Sequence, residues 1–357
     1  MRSILLVPIM LLAVGCVPQY PDYLVIVHDN FYNSVLPLVQ AKQTQGLSVQ
    51  VTKTSQIGSS PTADQIATFI RNRYQTGLAV AQPLEYVLLV GDTSFVPIHY
   101  RSYPLEAGDE AYVATDLYYA TMDTADYLPD ISVGRLPVNT AAEAQAVVAK
   151  IVGYTPASKN VLFFGNTPEV AAYDSRHTPI LTAVGCTVDK AHDAVAATQT
   201  ITRLNAGRAM AAYYGHGWIT GMSGGSLNST NVSLLTNTEL PVILSGGCYN
   251  NHFDHATVKC LGELLLLKAS GGAVAFVGST RTGGYGYAYY FADGFYEEFG
   301  KSGRLGPMLN AGRNAAYQAA LTDGQDVSAG SWTNRHIEKI NLLGDPHVCV
   351  NSSPTSP

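Results

Sequence analysis

The chain has 357 residues, 21 Lys and Arg against 27 Asp and Glu, and a formal net charge of −6. That length can bury a large core, and a hydrophobic content of 46% excludes disorder as the dominant state. Charged residues make up only 13%, and the mild acidity with no Lys/Arg cluster argues against nucleic acid as a partner.

Residues 1–16 read as a lipoprotein signal peptide. Arg2 supplies a positive start, residues 4–14 an apolar run, and Ala13-Val14-Gly15-Cys16 a processing site. The run is shorter than the roughly 20 apolar residues a spanning helix needs. Small residues followed by Cys are similar to the bacterial lipobox, so Cys16 is the expected lipid attachment point. Two or three acyl chains would hold the protein stably at a membrane. The alternative is a plain secretory signal. Either one puts the mature chain in the bacterial cell envelope or outside the cell, not in the cytoplasm. The other strongly apolar stretch, 261–279, is interrupted by Glu263, Lys268 and glycines, so no second span is expected.

Residues 23–27 read as a strand, 31–43 as an amphipathic helix stopped by Gly46, and 47–51 as a second strand. The run from Pro61 to Asp64 opens a helix with Ile66, Phe69 and Ile70 on one face. Residues 86–90 form an unbroken buried strand ending in Gly91-Asp92. A loop rich in Pro and Tyr leads to 115–119, then to 130–135 and a helix over 141–152. After a polar joint at 155–159, further strands are expected at 161–164, 209–214, 241–244 and 273–278, with helices between. This alternation predicts an α/β protein with parallel sheets covered on both faces. Two α/β units are expected, 20–154 and 155–350, followed by a Ser/Pro tail over 351–357.

Two strands of the second unit end in reactive residues. The strand at 209–214 runs into Gly215-His216-Gly217, and the strand at 241–244 into Ser245-Gly246-Gly247-Cys248. Ligands bind at the carboxyl ends of strands in an open parallel sheet. If these strands are neighbours, an imidazole and a thiol emerge on one rim, the pair that thiolate chemistry needs. Flanking glycine N–H groups can stabilise an oxyanion. The plainer alternative is a buried Cys beside a loop His. The remaining cysteines, Cys186, Cys260 and Cys349, are too few for a disulfide scaffold in so long a chain.

At these residues the sequence resembles the gingipain family of cysteine peptidases, which has a caspase-like fold. The resemblance covers most of the mature chain: 23–29, 86–92, 115–119, 129–137, 214–217, 247–254, 259–263, 277–280 and 342–346. It implies a caspase-like second subdomain, Cys248 as nucleophile, His216 as catalytic base and acid, and the N–H groups of Gly217 and Cys248 as oxyanion hole. It also implies protein or peptide substrates, no required cofactor, and a structural calcium ion for which no ligands are assigned.

Tyr285 falls where the family has an aromatic wall of its specificity pocket. Glu169 or Asp174 would favour a basic P1 side chain, while Arg281 beside Tyr285 would favour an acidic one. The basic preference is the expectation. The family orients its His with an acid after the strand at 161–164, and here that stretch reads Phe164-Gly165-Asn166-Thr167, with Glu169 two residues on. That departure keeps open a catalytically weak or inactive surface lipoprotein that uses the fold as a binding module.

Two rival constellations carry less. Gly221-Met222-Ser223-Gly224-Gly225 fits the G-x-S-x-G pattern, with Asp254 and His336 or His347 in hydrolase order, but lacks its strand-to-helix setting. Cys248, His252, His255 and Cys260 are dense enough for zinc, but their spacing matches no paired knuckle.

Overall fold

The structure is a computed structural model describing residues 20–103, 111–123, 126–165, 170–192, 196–283, 285–328 and 330–351. In chain order the strands are β1 (Tyr23–Val27), β2 (Val49–Lys53), β3 (Tyr86–Val90), β4 (His99–Ser102), β5 (Tyr112–Thr115), β6 (Ser132–Leu136) and β7 (Asn160–Gly165). They continue with β8 (Thr187–His192), β9 (Met210–Tyr214), β10 (Gly217–Trp218), β11 (Gly221–Met222), β12 (Val242–Ser245), β13 (Ala275–Ser279) and β14 (Ile340–Leu343). The helices are α1 (Tyr32–Thr44), α2 (Thr54–Ile57), α3 (Ala63–Leu78), α4 (Ala141–Val152) and α5 (Val170–Ala183). After them come α6 (Ala196–Asn205), α7 (Leu261–Leu267), α8 (Tyr285–Lys301), α9 (Leu305–Thr322) and α10 (Trp332–Lys339).

Ten strands form one sheet in the order β2-β1-β3-β6-β14-β13-β12-β9-β7-β8. Strands β1, β2, β3 and β6 make one half of this single sheet, and β7, β8, β9, β12, β13 and β14 the other. Within each half the strands are parallel, except that β14 runs antiparallel to β13; β14 meets β6 at one register pair, Leu343 with Arg135. Strands β1, β3, β6, β9 and β13 are buried along their whole length, as a sheet covered on both faces requires. The helices pack in two groups, α1 with α4 and α7, and α5 with α8, α9 and α10.

Local chemistry sets several element starts. Thr62 caps α3 by accepting the Gln65 N–H, while the Gln65 side chain accepts the Thr62 N–H, a reciprocal box that settles two orphan donors. Thr140 caps α4 through the Glu143 N–H. The second strand begins at Val49, two residues later than expected. Edge strand β8 was not anticipated, because its half-exposed sequence is mostly polar, with Val188 and Ala191 its apolar residues.

The segments 115–119 and 130–135 are joined by a buried ion pair. Arg135, fully enclosed, holds Asp116 through two bonds of 2.8 and 2.7 Å and donates to the carbonyls of Gly91 and Val96. A fifth, longer bond to the Pro97 carbonyl at 3.4 Å completes the set, so every N–H that burial takes from water is re-paired. Among the described residues, no helix is long and apolar enough to cross a membrane. The signal segment and Cys16 lie outside the described residues.

Candidate active site

β9 and β12 are parallel neighbours, with Tyr213 in register with Ser245. The Gly246 N–H donates to the Tyr213 carbonyl at 2.9 Å, so pairing persists past the last strand residue. His216 and Cys248 each stand three positions beyond that register pair, on the same rim. His216 is exposed and Cys248 partly so.

The two turns approach closely at Gly217. A Cβ there would sit 2.8 Å from the Cys248 carbonyl oxygen and 2.9 Å from the Asn250 amide, so only glycine fits. Tyr249, directly after Cys248, has a φ of 58°, the left-handed region a non-glycine residue seldom occupies. Such strain persists only where surrounding bonds over-determine it. Here the Tyr249 N–H donates to the Arg281 carbonyl at 3.1 Å, and the Asn251 N–H to the Ser279 carbonyl at 3.1 Å. The Gly283 N–H donates to the Cys248 sulfur at 3.3 Å and fixes the side chain.

Two residues with no sequence assignment fasten the halves of the site. Asn250 is fully buried; its amide donates to the carbonyls of Trp218 and Gly221 at 2.7 and 2.8 Å, and its oxygen accepts from Ser245 at 2.8 Å. The Tyr213 hydroxyl donates to the His216 carbonyl at 2.6 Å and accepts from the Ser223 N–H at 3.1 Å. The signal for Asn250 was available: an amide beside the nucleophile between apolar strands must find partners if buried.

The other thiols are poorly suited to attack. Burial pushes Cys260 well above the usual thiol range and Cys186 up to about 11. Cys260 instead caps α7, its N–H held by the Glu263 carboxylate at 2.8 Å. Cys349 bonds to the carbonyls of Ser302 and Asn351.

Of the expected substrate contacts, Arg281 is found in a buried ion pair. Its guanidinium is buried and grips Asp254 through bonds of 2.8 and 2.6 Å, so its charge is already matched and it braces the rim. Asp174 is likewise engaged, by His192 at 2.8 Å and Lys190 at 3.2 Å. Glu169 and the Tyr285 side chain lie outside the described residues, although Tyr285 begins α8. Ser223 follows a two-residue strand and shares its hydroxyl with Tyr213, so the G-x-S-x-G reading has no nucleophile elbow. Among the described residues no three His, Cys, Asp or Glu groups converge to hold a metal ion.

Past Gly283, whose N–H bonds the Cys248 sulfur, lies a narrow pocket with an enclosed volume of about 50 Å³. Gly246 and Gly283 form its edge toward the sulfur, and Tyr173, Tyr214, Leu244, Phe291 and Ile337 line its walls. Its described lining contains no carboxylate, lysine or arginine; His336 is the one imidazole among them.

A largely parallel α/β sheet with Cys and His on adjacent strand ends defines the class of caspase-like cysteine peptidases. The profile of Peptidase family C25 matches residues 17–351, and the chain belongs to that family, the gingipains. It is 27% identical over 316 residues to Lys-gingipain of Porphyromonas gingivalis, covering 84% of this chain and 18% of that protein. To gingipain R2 of the same organism it is 26% identical over 283 residues, covering 72% of this chain and 36% of that one. The chain thus spans well under half the length of these relatives. Its fold superposes on the RgpB pro- and mature-domain complex of P. gingivalis with a TM-score of 0.79 at 22% identity, covering 92% and 79% of the two chains. The Arg-specific cysteine proteinase gingipain R gives a TM-score of 0.80 at 21% identity, covering 93% and 78%.

Proposed function

We propose that the protein is an exported cysteine endopeptidase. The observation that carries this reading is the register of β9 with β12, which sets His216 and Cys248 equally far beyond one paired position. The Cys248 sulfur, having given its proton to His216, attacks the scissile carbonyl carbon. The oxyanion is met by the N–H groups of Gly217 and Cys248, donors fixed before the reaction begins. The tetrahedral centre collapses, His216 returns the proton to the leaving amine, and a thioester remains. Water then attacks the thioester and gives up its proton through His216, regenerating thiol and acid. No cofactor takes part. Residues 1–16 direct export, with Cys16 as lipid anchor.

For the side chain on the acyl side of the scissile bond we propose an apolar group rather than the basic one expected from sequence. The support is the cavity beside the sulfur, walled by aromatic and aliphatic residues, together with the engagement of Asp174 elsewhere.

The test is hydrolysis of a fluorogenic peptide library under reducing conditions, wild type beside Cys248→Ala, with and without chelator. Cleavage abolished in the variant and indifferent to chelator is the expected result. A folded wild type that cleaves nothing would shift the reading to a binding protein on the same fold.

A further inference from the structure

The chain between β13 and α8 passes beside the nucleophile, and Gly283 presents both of its backbone groups to one atom. Its N–H donates to the Cys248 sulfur at 3.3 Å, and its carbonyl oxygen lies 3.9 Å from that sulfur, within reach of a weak S–H donor. Among the described residues these are the only hydrogen bonds the sulfur makes.

Bonds that do not involve the sulfur hold this segment in place. The Arg281 carbonyl accepts from the Tyr249 N–H at 3.1 Å and from the Ser279 hydroxyl at 2.9 Å. The Thr280 N–H donates to the Lys339 carbonyl at 2.9 Å, and its hydroxyl to the Ala114 carbonyl at 2.9 Å. The Arg281 guanidinium adds its ion pair with Asp254 and a bond to the Tyr112 carbonyl at 3.2 Å. The approach to Gly283 is thus fixed from the nucleophile's own turn, from the chain entering β14 and from β5. An electrostatic donor needs that kind of preorganisation.

The strength of the bond depends on the state of the sulfur. Thioester and thiol sulfurs are neutral and accept weakly, whereas a thiolate is a charged acceptor. The interaction grows as charge appears, which is the condition for it to accelerate a step.

We propose that the Gly283 N–H is a catalytic donor that holds negative charge on the Cys248 sulfur. This role rests on the peptidase reading. Before attack the bond favours the thiolate, and the accompanying fall in intrinsic nucleophilicity is smaller than the gain in ionised fraction. In deacylation, water adds to the thioester carbonyl while His216 takes its proton. The tetrahedral centre collapses, the carbon–sulfur bond breaks, and its electron pair passes to sulfur, where the Gly283 N–H meets it. His216 then returns the proton to sulfur.

The experiment compares the full chain with two changes that delete this N–H. Gly283→Pro removes it outright. Glycolic acid in place of Gly283, installed by cell-free translation, turns the amide into an ester and decides the matter if the proline variant fails to fold. Gly283→Ala keeps the N–H, and it fits: an added Cβ would meet only the Gly246 carbonyl oxygen, at 3.9 Å, and the residue lies outside the left-handed region. Alkylation by iodoacetamide is followed against pH by mass spectrometry of the peptide containing Cys248. Both deletions should move the profile up by about one pH unit, and Gly283→Ala should leave it in place. Below neutral pH that is a roughly tenfold slower alkylation, and kcat should fall by a similar factor. An unchanged profile in the ester variant overturns the proposal. Alkylation needs no substrate, so this result is separate from failure of the peptidase reading, which shows as a folded wild type that cleaves nothing.

Discussion

The side-chain amide of Asn250 donates to the Trp218 carbonyl at 2.7 Å and so ties the turn bearing Cys248 to the hairpin bearing His216. The two catalytic candidates come from separate loops, and this buried amide is a direct bond between them. Asn250→Ala would leave the carbonyls of Trp218 and Gly221 unpaired, at about 1–3 kcal/mol for each stranded group. The variant is expected to melt lower and to lose kcat with little change in KM, because alignment fails while the cavity survives. Steady-state kinetics on the folded fraction checks this; an unchanged kcat would show that Asn250 serves only stability.

Tyr213→Phe should act on the other side of the site. It removes the hydroxyl that accepts from Ser223 and donates to the His216 carbonyl, while keeping the ring in the core. A loss of stability of about 1–3 kcal/mol by urea unfolding is expected. It should come with slower alkylation of Cys248 by iodoacetamide, if His216 draws the thiol proton. Wild-type alkylation would separate the hydroxyl from the chemistry.

The Arg135–Asp116 pair provides a test of the core. Asp116→Ala strands a guanidinium that is completely enclosed and should cost about 3–5 kcal/mol. Replacing both partners, with Arg135→Met and Asp116→Leu, should cost less than the sum of the single changes. A double-mutant cycle in urea measures the coupling, and additive losses would contradict it.

Acid should weaken the fold through two histidines. Burial is the main cause holding His347 down to about 3 and His252 to about 4, against 6.5 ordinarily. Below pH 6.5 the unfolded chain takes up protons that the folded one refuses. The stability these rings contribute is therefore full above 6.5 and falls as pH drops toward 4 and 3. Glu263 has the opposite sign, because burial raises it to about 8, and its share is lost as pH rises from about 4.5 through 8. Urea midpoints across this range should decline on the acid side, and His347→Gln should flatten that decline.

The apolar cavity beside Cys248 makes a prediction about specificity. Substrates with an apolar residue before the scissile bond should be cleaved faster than those with Lys or Arg. Ala288→Glu places a carboxylate in the lining and should move the ratio of kcat/KM toward basic substrates by roughly tenfold. A wild type that prefers Arg or Lys would refute the apolar assignment.

What the sequence determined by itself is considerable, because it rests on local patterns. Unbroken apolar runs at 86–90 and 209–214 mark doubly covered strands, and Thr62 and Thr140 mark helix starts through bonds made within one turn. Glycines around His216 and Cys248 marked two open strand ends, and the motifs there carried the family.

Only the tertiary structure decided how those ends relate. Whether β9 and β12 are neighbours depends on pairing between segments that sequence spacing leaves free, and the site's geometry follows from that one register. Arg281 looked like a free charge beside a pocket wall until the fold brought Asp254 against it. Asn250 and Tyr213 were silent for the same reason: a polar side chain declares its work only through its partners. The charge of the cavity beside Cys248 was equally out of reach, since its walls come from β9, β12, α5, α8 and α10. Local patterns are written in consecutive residues, whereas a pocket's chemistry is the sum of distant ones.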